Sequence, residues 1–211
     1  MNLKKIWHFF WHSDSMWSWL ANVIVAFLLI RFIVYPVLGI IMGTQFPIVA
    51  VISESMEHSN SNLMLCGQPI GDFKESFDNY WNVCGGWYTQ KNITKAKFKS
   101  FPFRNGFDKG DIIIVWGTKI ANIDQGDVIV FNGGKPQPII HRVVGTWQEN
   151  GQYFLQTKGD HNEKSISGFL GETKISENRL LGRGILRIPY MGWIKIVFVQ
   201  AVKPLGWEIT R

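Results

Sequence analysis

One uninterrupted apolar segment constrains this chain more than any other feature of its sequence. Residues 17–42 read WSWLANVIVAFLLIRFIVYPVLGIIM, about 26 residues, and about 20 are enough to cross a bilayer as a helix. The stretch is about twice as long as the apolar core of a signal peptide, and no small-residue cleavage site follows it. The sequence therefore predicts a single transmembrane helix that is retained as an anchor.

Charges on either side of this segment predict its orientation. Lys4 and Lys5 precede it, whereas no lysine or arginine occurs between Gly43 and Lys74. Because positive charge is enriched on the cytoplasmic side of membrane proteins, the N-terminus is expected in the cytoplasm and everything after Thr44 outside. We predict a single-pass protein of the plasma (cell) membrane with a large extracytoplasmic part.

Arg31 is the one charged residue inside the apolar segment. A charge near the middle of a bilayer costs several kcal/mol unless it snorkels to the surface or meets a partner. Snorkelling, helped by a kink at Pro36, and pairing with a partner membrane subunit are both compatible with the sequence.

Overall charge is a weaker guide to partners than its distribution. The net charge of +6 would by itself allow nucleic acid or an anionic membrane surface as a partner. The basic stretch within residues 91–104 is expected outside the cell, however, which favours the lipid bilayer and disfavours nucleic acid.

The remaining sequence indicates a mainly β fold. Short β-branched runs bounded by turn residues, such as DIIIVWG, DVIVFNGG and PIIHRVVGTW, are typical of antiparallel strands. Residues 57–104 interrupt this pattern and predict an inserted, partly helical subdomain. We therefore expect an anchor over residues 1–44, a β domain over 45–192 and a membrane-proximal segment over 193–211. Cys66 and Cys84 lie in the insertion and either pair there or stay separate as buried thiols.

A serine nucleophile is one chemistry that the β domain can support. The run PIVAVIS leads from the anchor into Ser53 and Ser55, and a serine needs a neighbouring base to take its proton. The histidines of the exported part are His58, His141 and His161. His141 is the leading candidate because it lies within a strand, whereas the other two lie in turn-rich sequence. A hydrogen-bonded structural role for His141 remains the alternative.

Five motifs in order resemble one protein family, the type I signal peptidases, in their archaeal and endoplasmic-reticulum branch. They are PIVAVISESM (47–56), the strand starts GDIIIVW (110–116) and GDVIVF (126–131), HRVVG (141–145), TKGDHN (157–162) and GRGILRIPYMG (182–192). The resemblance implies an antiparallel β-sheet peptidase domain behind the transmembrane helix.

This resemblance also implies roles for individual residues. Ser55 would be the nucleophile of a membrane-anchored serine endopeptidase, with His141 as general base and Asp160 as the third member of a triad. The Ser53 hydroxyl would stabilise the oxyanion, and Met56 would line the floor of the site or touch lipid. The substrates implied are exported preproteins with signal peptides, and neither a metal nor an organic cofactor is implied.

The sequence departs from the family pattern at three points. Glu54 stands where the family usually has glycine, and His58 follows Glu57 where a proline is common. Residues 163–167 also lack an aspartate that many relatives carry, which leaves Asp160 as the nearby acid and Ser165 as a possible hydrogen-bond donor. Glu54 and the missing aspartate motivate an alternative function, a catalytically impaired subunit or binding module related to signal peptidases.

Overall fold

The computed structural model describes residues 3–59, 63–134, 136–168, 171–193 and 196–197. Its N-terminal part is helical. Helix α1 covers Leu3–His12, helix α2 covers Met16–Leu29, a π-helical turn covers Ile30–Val34 and helix α3 covers Tyr35–Met42. The last three form one continuous apolar helix, Met16–Met42, that is long enough to cross a membrane and is not buried inside the protein.

The π-helical turn in the middle of this helix is explained by Pro36. A proline inside a helix lacks the N–H that would bond to the preceding turn, and its ring crowds the carbonyl four residues earlier. Widening the turn before the proline relieves that crowding. Arg31 lies within the widened turn, with its guanidinium 5.7 Å from the centre of the Phe32 ring.

A six-stranded antiparallel sheet forms the centre of the part that follows the apolar helix. Across the sheet the strands follow one another in the order β1 (Ile48–Ala50), β4 (Ile112–Trp116), β8 (Leu180–Ile188), β5 (Val128–Phe131), β6 (Ile139–Glu149) and β7 (Gln152–Lys158). The insertion separates β1 from β4 along the chain. The predicted mainly β, antiparallel fold is confirmed.

The insertion folds over one side of the sheet, and we call residues 57–104 the cap. It contains a short hairpin of β2 (Met64–Leu65) and β3 (Gln68–Pro69), followed by α4 (Phe77–Thr89) and α5 (Lys95–Lys99). Its own core is aromatic, with Tyr80, Tyr88 and Phe98 fully buried. A disulfide joins Cys66, in the turn of this hairpin, to Cys84 in α4.

Strand register places a row of exposed apolar side chains on one face of the sheet. Ile48 of β1 pairs with Ile114, which pairs in turn with Leu186 of β8. Side chains two positions apart share a face, so Ile112, Trp116 and Ile188 belong to the same surface. We call this surface the outer apolar face; Leu186 and Trp116 on it are about half exposed.

The outer apolar face lies next to the end of the apolar helix. The Gly117 amide, directly after β4, donates to the Met42 carbonyl at 2.7 Å, and the Thr44 hydroxyl donates to the Leu181 carbonyl at 2.7 Å. The domain boundaries at 44 and 192 stay predictions, and most of the membrane-proximal segment 193–211 lies outside the described residues.

Removal of the disulfide tests how firmly the cap is held. Replacing Cys66 and Cys84 together by alanine is expected to lower the free energy of unfolding by about 3 kcal/mol, because the bond constrains a loop in the unfolded chain between residues 18 positions apart. Denaturant titration of the oxidised and reduced wild type and of the double variant checks this. The reduced wild type should match the variant, and equal stability of all three would contradict the prediction.

Candidate functional site

Ser55 lies in a turn just beyond β1, where the chain leaves the sheet. Its carbonyl accepts a hydrogen bond from the His161 amide at 2.9 Å, which ties the turn to the loop after β7. The hydroxyl of Ser53 lies 3.1 Å from the hydroxyl of Ser55. Met56 points the opposite way and is fully buried in the core beneath the turn. The turn therefore presents two serine hydroxyls on an anchored backbone.

His141 is held rigidly beside Ser55 by the strands around it. It is the third residue of β6, it pairs with Ile129 of β5, and only 4% of it is exposed. Its Nε2 lies 2.9 Å from the Ser55 Oγ. A Cβ at Gly159 would lie 2.8 Å from that Nε2 and 2.7 Å from the Ser55 carbonyl oxygen. Glycine at this position is what lets the two side chains meet.

A buried carboxylate contacts the other nitrogen of the His141 ring, and it belongs to Glu172. Its Oε1 accepts from His141 Nδ1 and from the Thr157 hydroxyl, the latter at 3.2 Å. Its Oε2 accepts from the Ile166 amide at 2.7 Å. Glu172 is fully buried, so these donors compensate the loss of water around its charge. Ser55, His141 and Glu172 thus form a continuous hydrogen-bonded chain.

The hydrogen bonds of the Asp160 side chain go to residues other than His141, the partner predicted from the sequence. Its carboxylate accepts from Arg142 at 2.7 and 2.9 Å, from His58 at 2.9 Å and from the Tyr88 hydroxyl at 3.0 Å. Burial raises the pKa of this carboxyl, but the Arg142 charge and the hydrogen bonds from His58 and Arg142 outweigh it and hold the pKa well below its usual range. Arg142 is fully buried and needs a counter-charge, and Asp160 is used for that purpose.

The hydrogen bonds of Ser165 also differ from the predicted one to the catalytic residues. Its hydroxyl donates to the Thr157 carbonyl at 2.6 Å and accepts from Gln156 at 3.0 Å, so it braces the loop that carries Glu172. No hydrogen bond joins it to Ser55 or His141 in the described part of the chain. Sequence reasoning missed Glu172 because it searched for an aspartate within a few residues of the Gly159-Asp160 turn.

Glu54 fits its position without backbone strain. It is absent from the residues with positive φ, so the backbone there does not require glycine. Its carboxylate lies 3.7 Å from the Lys109 ammonium. The substitution of glycine by glutamate therefore leaves the turn around Ser55 intact.

Lys158 is a buried cation next to this site. Its hydrogen bonds go to groups other than Ser55, His141 and Glu172. Its ammonium donates to the carbonyls of Gly159 and Asp160 at 3.0 and 3.2 Å. Burial lowers its pKa to about 8, although Asp160 and Glu172 act in the opposite direction. No group of three or more potential metal ligands occurs among the described residues.

The lowered pKa of Lys158 predicts a pH dependence of stability. The unfolded lysine keeps its proton up to its ordinary pKa of 10.5, whereas the folded one releases it near 8. Between these values the unfolded state binds more protons, so the Lys158 contribution makes the free energy of unfolding rise with pH. Denaturation of wild type and Lys158→Met near pH 7 and near pH 10 should show the wild type gaining relative to the variant. Parallel pH curves would contradict it.

Comparison with known proteins identifies relatives of this chain. No family model matches the chain. It is 30% identical over 98 residues to a signal peptidase complex catalytic subunit of Neurospora crassa. The matched stretch covers 44% of this chain and 57% of that protein. The chain is homologous to signal peptidase catalytic subunits. It is also 29% identical over 102 residues to the Yarrowia lipolytica subunit, which covers 44% of this chain and 56% of the relative.

A human relative gives the same result. The human subunit SEC11C is 30% identical over 95 residues, covering 43% of this chain and 50% of the relative. The chain thus spans about half the length of the curated relatives it matches. The predicted resemblance to type I signal peptidases of the endoplasmic-reticulum type is confirmed.

Proposed function

We propose that this chain is a membrane-anchored serine endopeptidase that cleaves signal peptides from exported preproteins. The observation that carries the proposal is the continuous chain from the Ser55 hydroxyl through His141 to the buried Glu172 carboxylate. Nucleophile, base and orienting acid in hydrogen-bonded order are the arrangement that activates a serine. Homology to signal peptidase catalytic subunits supports the choice of substrate.

In the first half of the reaction, Ser55 becomes acylated. Its Oγ attacks the scissile carbonyl carbon while His141 Nε2 takes the hydroxyl proton. The tetrahedral intermediate then collapses, the C–N bond breaks, and the imidazolium returns the proton to the leaving amine. The product with the new N-terminus departs and leaves the signal peptide as an ester on Ser55.

In the second half, water releases the signal peptide. His141 removes a proton from a water molecule that attacks the ester carbonyl, and the same proton passes to the Ser55 oxygen when the C–O bond breaks. The Ser55 amide and the Ser53 hydroxyl are the donors assigned to the oxyanion in both halves. The Ser53 hydroxyl lies 3.1 Å from the nucleophile oxygen, and losing such a donor typically costs about 10²-fold or more in rate.

Glu172 takes the role that sequence reasoning gave to Asp160. By accepting from Nδ1, its carboxylate fixes the tautomer in which Nε2 carries the lone pair that faces Ser55. It also stabilises the imidazolium formed during the reaction. Glu54 is unstrained and a carboxylate does contact His141. The two departures therefore no longer favour a catalytically impaired relative.

The apolar helix Met16–Met42 is the proposed anchor, with the N-terminus in the cytoplasm and the β domain outside the plasma membrane. The flanking lysines support this orientation, and the disulfide of the cap suits an oxidising compartment. The outer apolar face adjoins the end of the helix and would rest on the bilayer. Tethering Ser55 at the membrane surface raises its effective concentration near a signal peptide held in the same membrane.

The relatives are subunits of a signal peptidase complex by name, and a partner membrane subunit is the matching proposal for this chain. Arg31 is the residue with which such a partner would pair through a carboxylate. The alternative for Arg31 is snorkelling to the membrane surface.

Cleavage by the purified full chain in lipid vesicles tests the proposal. A preprotein with small residues before its cleavage site is expected to give one product, identified by the mass of its new N-terminus. Protein-free vesicles and a preprotein with bulky residues at those positions are the controls. Absence of cleavage, or equal cleavage of both preproteins, would contradict the proposed function.

A further inference from the structure

The position of His58 is the feature of this structure that the proposed mechanism does not use. It follows Ser55 by three residues, in the stretch where the family that the sequence resembles commonly has a proline. Its side chain is mostly buried and lies between the Tyr80 ring and the Asp160 carboxylate. A buried histidine so close to the nucleophile calls for a role.

Two contacts fix the His58 ring. Its Nε2 lies 2.9 Å from Asp160 Oδ2, and its ring stacks on the Tyr80 ring of helix α4 with centres 3.5 Å apart and planes 1° apart. Burial lowers the pKa of His58, although Asp160 acts in the opposite direction. The ring is therefore neutral near pH 7, with Nε2–H donating to the carboxylate.

Asp160 passes this restraint to both reacting side chains. Its neighbour His161 donates its amide proton to the Ser55 carbonyl at 2.9 Å. Its carboxylate binds Arg142, the residue that follows His141 on β6, at 2.7 Å. The turn that carries Ser55 is thus joined to Asp160 through His58 and to the neighbouring residue His161 through the Ser55 carbonyl. The strand that carries His141 is joined to Asp160 through Arg142.

The chain just after the cap packs tightly on the same turn. The Phe107 amide donates to the Met56 carbonyl at 3.2 Å. A Cβ at Gly106 would lie 2.2 Å from that carbonyl oxygen and 2.7 Å from the His58 ring. Since Gly106 also has a φ of 69°, glycine is needed here for both space and conformation.

We propose that His58 is a positioning residue for Ser55, which fixes the distance from Ser55 to His141 by joining helix α4 at Tyr80 to Asp160. A proline would restrain this turn through its backbone, whereas His58 restrains it through its side chain. The cap thereby becomes a structural part of the active site. This inference rests on the proposed function.

Two amide variants separate positioning from simple packing. In His58→Gln the side-chain nitrogen lies the same number of bonds from the backbone as Nε2 and can donate to Asp160. In His58→Asn the nitrogen is one bond nearer and falls short. Asn is expected to lower kcat about 10- to 100-fold with KM changed less than about twofold, because small misplacements of reacting groups cost about that much. Gln is expected to stay within about fivefold of wild type.

His12→Gln and His12→Asn, on helix α1, are the matched control and should not change kcat. Melting temperatures of all variants are measured beside the kinetics. Equal kcat values for the two His58 variants, or losses that follow the melting temperatures, would overturn the positioning role. Absence of cleavage by the wild type would instead contradict the proposed function, so the two failures are distinguishable.

His58→Phe provides a second comparison, because it keeps the ring stacked on Tyr80 and removes only the donor to Asp160. It is expected to behave like His58→Asn in kcat. Activity close to that of wild type in this variant would show that stacking alone suffices, and the positioning role through Asp160 would be wrong.

Discussion

Replacement of Ser55 by alanine is expected to lower kcat for signal-peptide cleavage by about 10⁶-fold, and Glu172→Gln by roughly 10³- to 10⁴-fold. Alanine removes the oxygen that forms the ester, so no acyl-enzyme arises. Glutamine has nearly the shape of glutamate, but it lacks the charge that stabilises the imidazolium and its amide allows the wrong tautomer of His141. The measurement is single-turnover cleavage of a preprotein by the full chain in lipid vesicles.

Combining the two substitutions in one variant provides a further test of this prediction. Because nucleophile, base and acid act as one unit, the double variant Ser55→Ala/Glu172→Gln should be no slower than Ser55→Ala alone. Glu163→Gln is the matched control, since Glu163 is an exposed carboxylate in the loop between β7 and Glu172. It is expected to cleave at the wild-type rate. Full activity of Glu172→Gln would exclude Glu172 as the orienting acid, and full activity of Ser55→Ala would exclude the serine mechanism.

Ser55 and His141 could be singled out in the sequence because local pattern places each of them. A run of β-branched residues ends directly before the serine turn, and His141 lies within a strand, so both were assigned to rigid surroundings. Glu172 could not be found this way, since it lies 31 positions from His141 along the chain. Its place beside the imidazole depends on how the loop between β7 and β8 folds back, which no periodicity in the sequence encodes.

Asp160 was assigned to His141 for a related reason. The central residues of β6, from Ile140 to Val144, are all buried, so the strand lacks the alternation that would show which side chains share a face. Arg142 therefore gave no sign that it is buried and needs a carboxylate. The antiparallel sheet itself could be predicted from its strand runs, whereas the order of its strands depends on pairing between distant segments.

The ion pair between Arg142 and Asp160 is expected to dominate the stability of the sheet and its cap. All guanidinium nitrogens of Arg142 donate hydrogen bonds. Besides those to Asp160, they reach the carbonyls of Pro102 at 2.7 Å, Phe103 at 2.7 Å and Gly126 at 3.0 Å. The pair thus joins the base of the cap to β6 with no access to water.

Asp160→Asn is therefore expected to lower the free energy of unfolding by about 3 to 5 kcal/mol, because it leaves the Arg142 charge buried without its partner. Arg142→Met should cost a similar amount by stranding the carboxylate. The double variant should lose less than the sum of the two, since neither charge is then left alone. Denaturant unfolding of the detergent-solubilised full chain, followed by tryptophan fluorescence, measures all four proteins.

An exposed ion pair in the same domain provides the matched control. Lys174 and Glu149 lie 2.6 Å apart, but both side chains are about half exposed, so Glu149→Gln is expected to leave the free energy of unfolding close to that of wild type. The pKa of Asp160 is held below its usual range, so its contribution persists at every pH above the unfolded value of about 3.9 and is lost below it. A cost of Asp160→Asn as small as that of Glu149→Gln would mean that Arg142 finds another counter-charge or water. The link between the cap and the strand that carries His141 would then not depend on this pair.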